Sequence, residues 1–66
     1  MYTTDEQKEL TGAFKRAKAA FERREETLNA LCTREAKAIM PKMLSRRTVA
    51  GITLHLTNRY NKEQGK

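Results

Sequence analysis

Leu10, Phe14, Ala17, Phe21, Arg24, Leu28 and Leu31 follow one another at alternating steps of four and three, with no proline before position 41. That repeat constrains the fold most, because it draws one narrow stripe along a single helical face, interrupted only by Arg24. Thr4-Asp5-Glu6-Gln7 has the form of a capping box, the Thr hydroxyl accepting from the Gln7 N–H and the Gln7 side chain returning to Thr4. Asp5 and Glu6 suit the positive end of the helix dipole. A helix over 4–31 is expected, about 40 Å long, with Gly12 costing it about 1 kcal/mol relative to Ala.

A chain of 66 residues buries only about 60% of its unfolded surface, and a helix of that length is too long to be stabilised inside so small a monomer. One cysteine excludes an internal disulfide, and one histidine without a cysteine cluster excludes an ordinary zinc-ligand set. Pairing of two copies is the remaining source of stability. A homodimer is expected through Leu10, Phe14, Ala17, Phe21, Leu28 and Leu31, the alternative being that this stripe packs on the chain's own second half. Cys32 reads as a small buried hydrophobe.

Beyond the long helix, Thr33 opens a short one over 33–44, with Ile39, Met40, Met43 and Leu44 apolar and a break at Pro41. Ser45 is the expected N-cap of a last helix over 45–61, which puts Val49, Ile52, Leu56 and Tyr60 on one face. Ile52-Thr53-Leu54-His55-Leu56-Thr57 also alternates with period two, and Gly51 weakens a helix. Helix is preferred because a lone strand needs a partner chain. Residues 62–66 form a polar tail. The expected architecture is a single all-α domain over 1–66: a long helix, a short one and a medium one, helix-turn-helix-like and dimeric.

The net charge of +6 is unevenly placed. Residues 1–33 carry six basic and six acidic side chains, whereas residues 34–66 carry eight basic and two acidic. Such asymmetry points to a polyanion, because a basic face attracts phosphate backbones at long range. A basic face kept for solubility is the simpler alternative. No membrane-spanning run and no signal peptide are visible, so a cytoplasmic protein is expected. There is no Gly-rich phosphate loop and no triad spacing around His55, so neither an enzyme nor a cofactor is expected.

Leu44-Ser45-Arg46-Arg47-Thr48-Val49 resembles the "LSxRTV" start of the recognition helix in LuxR/FixJ-type helix-turn-helix regulators. His55-Leu56-Thr57-Asn58-Arg59-Tyr60-Asn61-Lys62 is similar to that family's "HLxNIYxK" helix end, and Leu31-Cys32-Thr33-Arg34-Glu35-Ala36 to its "LTxRE" opening. The same stretch is similar to a Myb-like "IAxxLxxRT" pattern, without the tryptophans of that module. The stretch up to Met43 that separates Leu31–Ala36 from Leu44–Val49 is too short for the whole scaffold helix that the LuxR/FixJ family has there. The resemblance implies that Ser45 to Thr48 meet phosphates and that the following helix faces the major groove.

Arg46 and Arg47 in a first helical turn oppose the dipole, and such broken rules mark functional sites. Two explanations stand: phosphate contact, or pairing with Glu22, Glu25 or Glu26. Lys42, Ser45, Arg46, Arg47, Thr48, His55, Asn58 and Arg59 are the expected nucleic-acid contacts of a small DNA-binding regulator. RNA is a lesser variant, because four aromatic residues form no evident stacking platform. The alternative is a phage- or plasmid-type effector whose amphipathic helix binds and inhibits a host protein.

Overall fold

The computed structural model describes residues 2–65. Three α-helices follow in order: α1 over Thr4–Glu22, α2 over Leu28–Ile39 and α3 over Val49–Glu63, with a 3-10 turn over Met40–Lys42 between the last two. No strand occurs among the described residues. The period-two signal at 52–57 loses to helical burial, since Ile52, Thr53 and Leu56 are the α3 residues that turn inward.

The first helix is 19 residues long, so the expected 4–31 helix is broken in two. It ends in a Schellman motif: the Arg24 N–H donates to the Phe21 carbonyl at 2.9 Å and the Glu25 N–H to the Ala20 carbonyl at 3.2 Å. Arg24 takes the left-handed position, φ 59°, that glycine usually fills. Thr27 then caps α2, its hydroxyl accepting from the Ala30 N–H at 3.2 Å. Thr33 starts nothing. It lies inside α2 and its hydroxyl donates to the Asn29 carbonyl at 2.8 Å.

This turn folds the apolar stripe onto itself. Leu10, Phe14 and Ala17 of α1 are buried with Leu31, Cys32, Ala36 and Ile39 of α2 and with Ile52 and Leu56 of α3. Phe21 and Leu28 pack against the edge of that cluster, and the Phe21 ring meets Tyr60 edge-on at 5.4 Å. All six residues expected at a dimer interface therefore face the chain's own core. Exposure is 1% at Leu10 and 0% at Leu31, whereas Phe21 and Leu28 keep part of their surface exposed.

The starting cap is also displaced by one residue. Thr3, not Thr4, accepts from the Glu6 N–H at 3.2 Å, and the Glu6 carboxylate accepts from the Thr3 N–H at 3.0 Å. Gln7, freed from the box, donates to the Tyr2 carbonyl at 3.2 Å. The second helix stops at Ile39, ahead of Pro41, which sits in the first residues of the 3-10 turn where a missing N–H costs nothing. The last helix begins at Val49, three residues later than a Ser45 cap requires. Thr48 caps it, accepting from the Gly51 N–H at 3.0 Å, and a Cβ on Gly51 would lie 3.1 Å from that hydroxyl. At its other end α3 runs through Lys62 and Glu63, so the first two residues of the expected tail are helical.

Of the three helices, α2 packs closely on both of the others, whereas α1 and α3 touch over a shorter length. Two ion pairs tie α1 across the bundle: Arg16 to Glu35 at 2.8 Å, and Lys18 to Glu63.

Because Arg24 holds a left-handed backbone at a cost of about 1 kcal/mol, Arg24→Gly should raise Tm by a few degrees, less the entropy that glycine adds to the unfolded chain. A continuous helix through position 24 gives the opposite sign, a loss of about 1 kcal/mol. Thermal unfolding followed by circular dichroism reads the sign directly.

Candidate nucleic-acid interface

The loop over residues 43–48 is anchored by a buried carboxylate. Glu6 is 2% exposed, and its two oxygens accept from four donors. Arg47 donates through Nε at 2.9 Å to Oε2 and through Nη2 at 2.8 Å to Oε1. The Leu44 N–H donates to Oε2 at 3.1 Å, and the Thr3 N–H completes the set. On its other side the Arg47 guanidinium lies over the Tyr2 ring, 4.3 Å from its centre. A buried charge needs such company, and a two-pronged arginine supplies it best. The Arg47 bonds, with help from the Thr3 and Leu44 backbone, hold the Glu6 carboxyl far below the usual carboxylate range although burial opposes them.

Arg47 is therefore a fold residue: its carboxylate partner is Glu6, not Glu22, Glu25 or Glu26. The dipole anomaly that singled out Arg46 and Arg47 also disappears, because both precede α3. Arg46 is exposed and has no ion pair among the described residues. Ser45 is exposed on the same loop, Thr48 serves as the α3 cap, and Lys42 lies 3.7 Å from Glu9.

The remaining expected contacts gather elsewhere. His55, Asn58 and Arg59 stand at i, i+3 and i+4 on α3, and Lys62 extends the same face at i+7. Opposite them α1 and its approach contribute Tyr2, Gln7, Leu10 and Thr11, and together these eight residues line a groove of about 640 Å³. No carboxylate is among them. The Arg59 guanidinium rests on the Phe14 ring at 4.7 Å and donates to the Thr11 hydroxyl at 3.3 Å. His55 meets the edge of Tyr2 at 4.9 Å. Burial, with Arg59 nearby, pushes the His55 imidazole below its ordinary value, so it is neutral at pH 7. Lys8 borders the groove, sharing a smaller hollow with Thr4, Gln7 and Thr11.

So the eight expected residues fall into two groups, one on the 40–48 segment and one on the flank of α3. Lys62 was missed although the spacing from His55 reaches it. Tyr2, Gln7 and Thr11 carried no signal, because nothing in the sequence says which side of α1 lies beside α3.

A second hollow, between α2 and α3, has the opposite character. Asn29, Thr33, Val49, Ala50, Thr53, Leu54 and Thr57 line it without a charge, and Leu54 is 59% exposed. Among the described residues no group of three or more His, Cys, Asp or Glu is placed to hold a metal ion, and no helix is long and apolar enough to cross a membrane. Cys32 is buried, which raises its thiol above the ordinary range and keeps it from acting as a thiolate.

The depressed Glu6 carboxyl makes a pH prediction with a defined sign. Its stabilisation is complete above the unfolded glutamate value and fades as pH falls through and below it. Tm should thus hold from pH 7 to about 5 and drop steadily below that, as Glu6 takes up a proton on unfolding. At pH 7, Arg47→Gln should lower Tm by about 10 °C or more, because it leaves a buried carboxylate without its main partner. A variant with unchanged Tm would show the clamp to be dispensable.

No protein-family model matches this chain, and neither a curated protein nor a solved structure was found to resemble it.

Proposed function

We propose that the chain is a small DNA-binding regulator that meets the duplex backbone with the cations its own carboxylates leave uncompensated. The distribution of ion pairs carries this reading. Glu6, Glu9, Glu25, Glu26, Glu35 and Glu63 are each paired with a lysine or arginine. Lys8, Lys15, Arg24, Lys37, Arg46, Arg59 and Lys62 have no such pair among the described residues. Lys8 and Lys15 lie on α1, Arg59 and Lys62 on α3, and Arg46 on the loop that Glu6 anchors beside the start of α1. Cations without a carboxylate partner release counterions when they meet phosphates, which drives association. With Arg47 committed to Glu6, the phosphate role that the LuxR/FixJ resemblance implies for residues 45–48 falls to Arg46. His55 and Asn58, on the flank of α3, are the candidates for base edges.

One observation favours a second reading, an effector that binds a host protein: the uncharged hollow between α2 and α3, rimmed by the exposed Leu54. Leu54→Arg would abolish such an association and leave attraction to DNA intact or stronger.

Binding to random duplex DNA at several salt concentrations separates the two. For DNA, log affinity should fall against log salt with a slope between about −3 and −5. Replacing Lys8 and Arg46 with Gln should make that slope shallower by about two, with helix content unchanged. Feeble binding that the double substitution does not alter would overturn the proposal and favour the protein-binding reading.

A further inference from the structure

The groove between α1 and α3 differs from a merely basic surface in the chemistry gathered on its walls. Arg59 is fixed by its stacking on Phe14, and the single side-chain hydrogen bond it donates, to Thr11, leaves further N–H groups of a five-donor fork unengaged. Lys62 and Asn58 make no side-chain hydrogen bond or ion pair among the described residues. The Gln7 amide sits on the facing wall, already oriented by its bond to the Tyr2 carbonyl. Ammonium, guanidinium, two amides and a hydroxyl thus share one concavity with no carboxylate to compete for them. Such a set is matched by a compact tetrahedral oxyanion, which offers several acceptor oxygens at once.

We infer that the α1–α3 groove is a discrete phosphate-binding site, in which Arg59 and Lys62 hold the charge while Asn58, Gln7 and Thr11 orient the oxygens. This goes beyond diffuse attraction to a duplex and does not require it. The same phosphate chemistry comes either from a nucleic-acid backbone or from a free phosphorylated small molecule.

The planar fork of Arg59 and the neutral amide of Asn58 are what distinguish a built site from summed charge. Arg59→Lys keeps the charge and loses the fork. Asn58→Leu keeps the charge altogether, at an exposed position that the fold does not use.

Two-dimensional NMR of the full chain, titrated with inorganic phosphate and separately with sodium chloride at matched ionic strength, tests the inference. Phosphate should produce saturable shifts confined to Gln7, Thr11, His55, Asn58, Arg59 and Lys62, with His55, the chain's one histidine, as an unambiguous reporter. Chloride should not reproduce them. Arg59→Lys and Asn58→Leu should each weaken phosphate binding several-fold, up to about tenfold. Should Arg59→Lys fail to fold, Asn58→Leu alone decides.

A short blunt DNA duplex in place of phosphate identifies the source. Groove shifts with phosphate but none with duplex would support the site and assign it to a small phosphorylated molecule, against the DNA reading. Groove shifts with both would assign it to the backbone. Unsaturable shifts spread equally over Lys8, Lys15 and Lys37 would overturn the site. So would duplex binding that moves Arg46 and Lys8 alone, and in that case the DNA reading would stand without it.

Discussion

An apolar stripe that runs from Leu10 to Leu31 cannot be covered by a chain of 66 residues unless the stripe itself is folded. The turn at residues 23–27 does this, and every other placement depends on it. Once Arg24 adopts its left-handed geometry, Leu28 and Leu31 return toward Phe14 and Phe21. The next helix then lies against the first, and α3 completes a single core over both. Had α1 run straight, those side chains would have faced water or another molecule. The net gain is hydrophobic burial at about 25 cal/mol for each Å² of apolar surface, set against one strained residue.

Periodicity identified the apolar positions well. Leu10, Phe14, Ala17 and Leu31 on the first stripe, and Ile52 and Leu56 on the last helix, all belong to the core. What periodicity cannot see is an interruption made by a residue that tolerates, but does not advertise, a left-handed backbone. Arginine at the position of a helix-ending glycine gives no sequence signal, and the stop rests on hydrogen bonds to Ala20 and Phe21 instead. The caps were displaced for a related reason. Adjacent threonines at 3 and 4 both satisfy the local rule, and the choice falls to Glu6, because only the Thr3 register turns its carboxylate toward Leu44 and Arg47.

The same limit governs the candidate site. Arg46 and Arg47 break no helix rule once α3 starts at Val49, and one of them is explained by a partner 41 residues away. No spacing argument reaches that far. On α3, by contrast, the flank from His55 to Lys62 follows from helical geometry alone. What it faces does not, since the α1 wall is set by the tertiary packing. The result is a helix with two unlike sides: a cationic one toward α1, and an uncharged one toward α2 where Leu54 protrudes.

Four donors converge on Glu6, two from Arg47 and two from the backbone at Thr3 and Leu44. The arrangement therefore has a direction. Exchanging the two charges, with arginine at position 6 and glutamate at position 47, would set a cation against two N–H groups that can only donate. Replacing both with apolar side chains of equal volume would remove the charges but strand the same two groups. Asparagine or glutamine at position 6 loses the charge that Arg47 requires, and aspartate is one methylene short of the loop. Substitution at position 47 answers to Glu6 and to the Tyr2 ring, whereas position 6 answers to the peptide backbone as well. Drift along this chain is constrained at that pair: a new residue at position 6 must satisfy the Thr3 and Leu44 N–H groups as well as whatever stands at position 47.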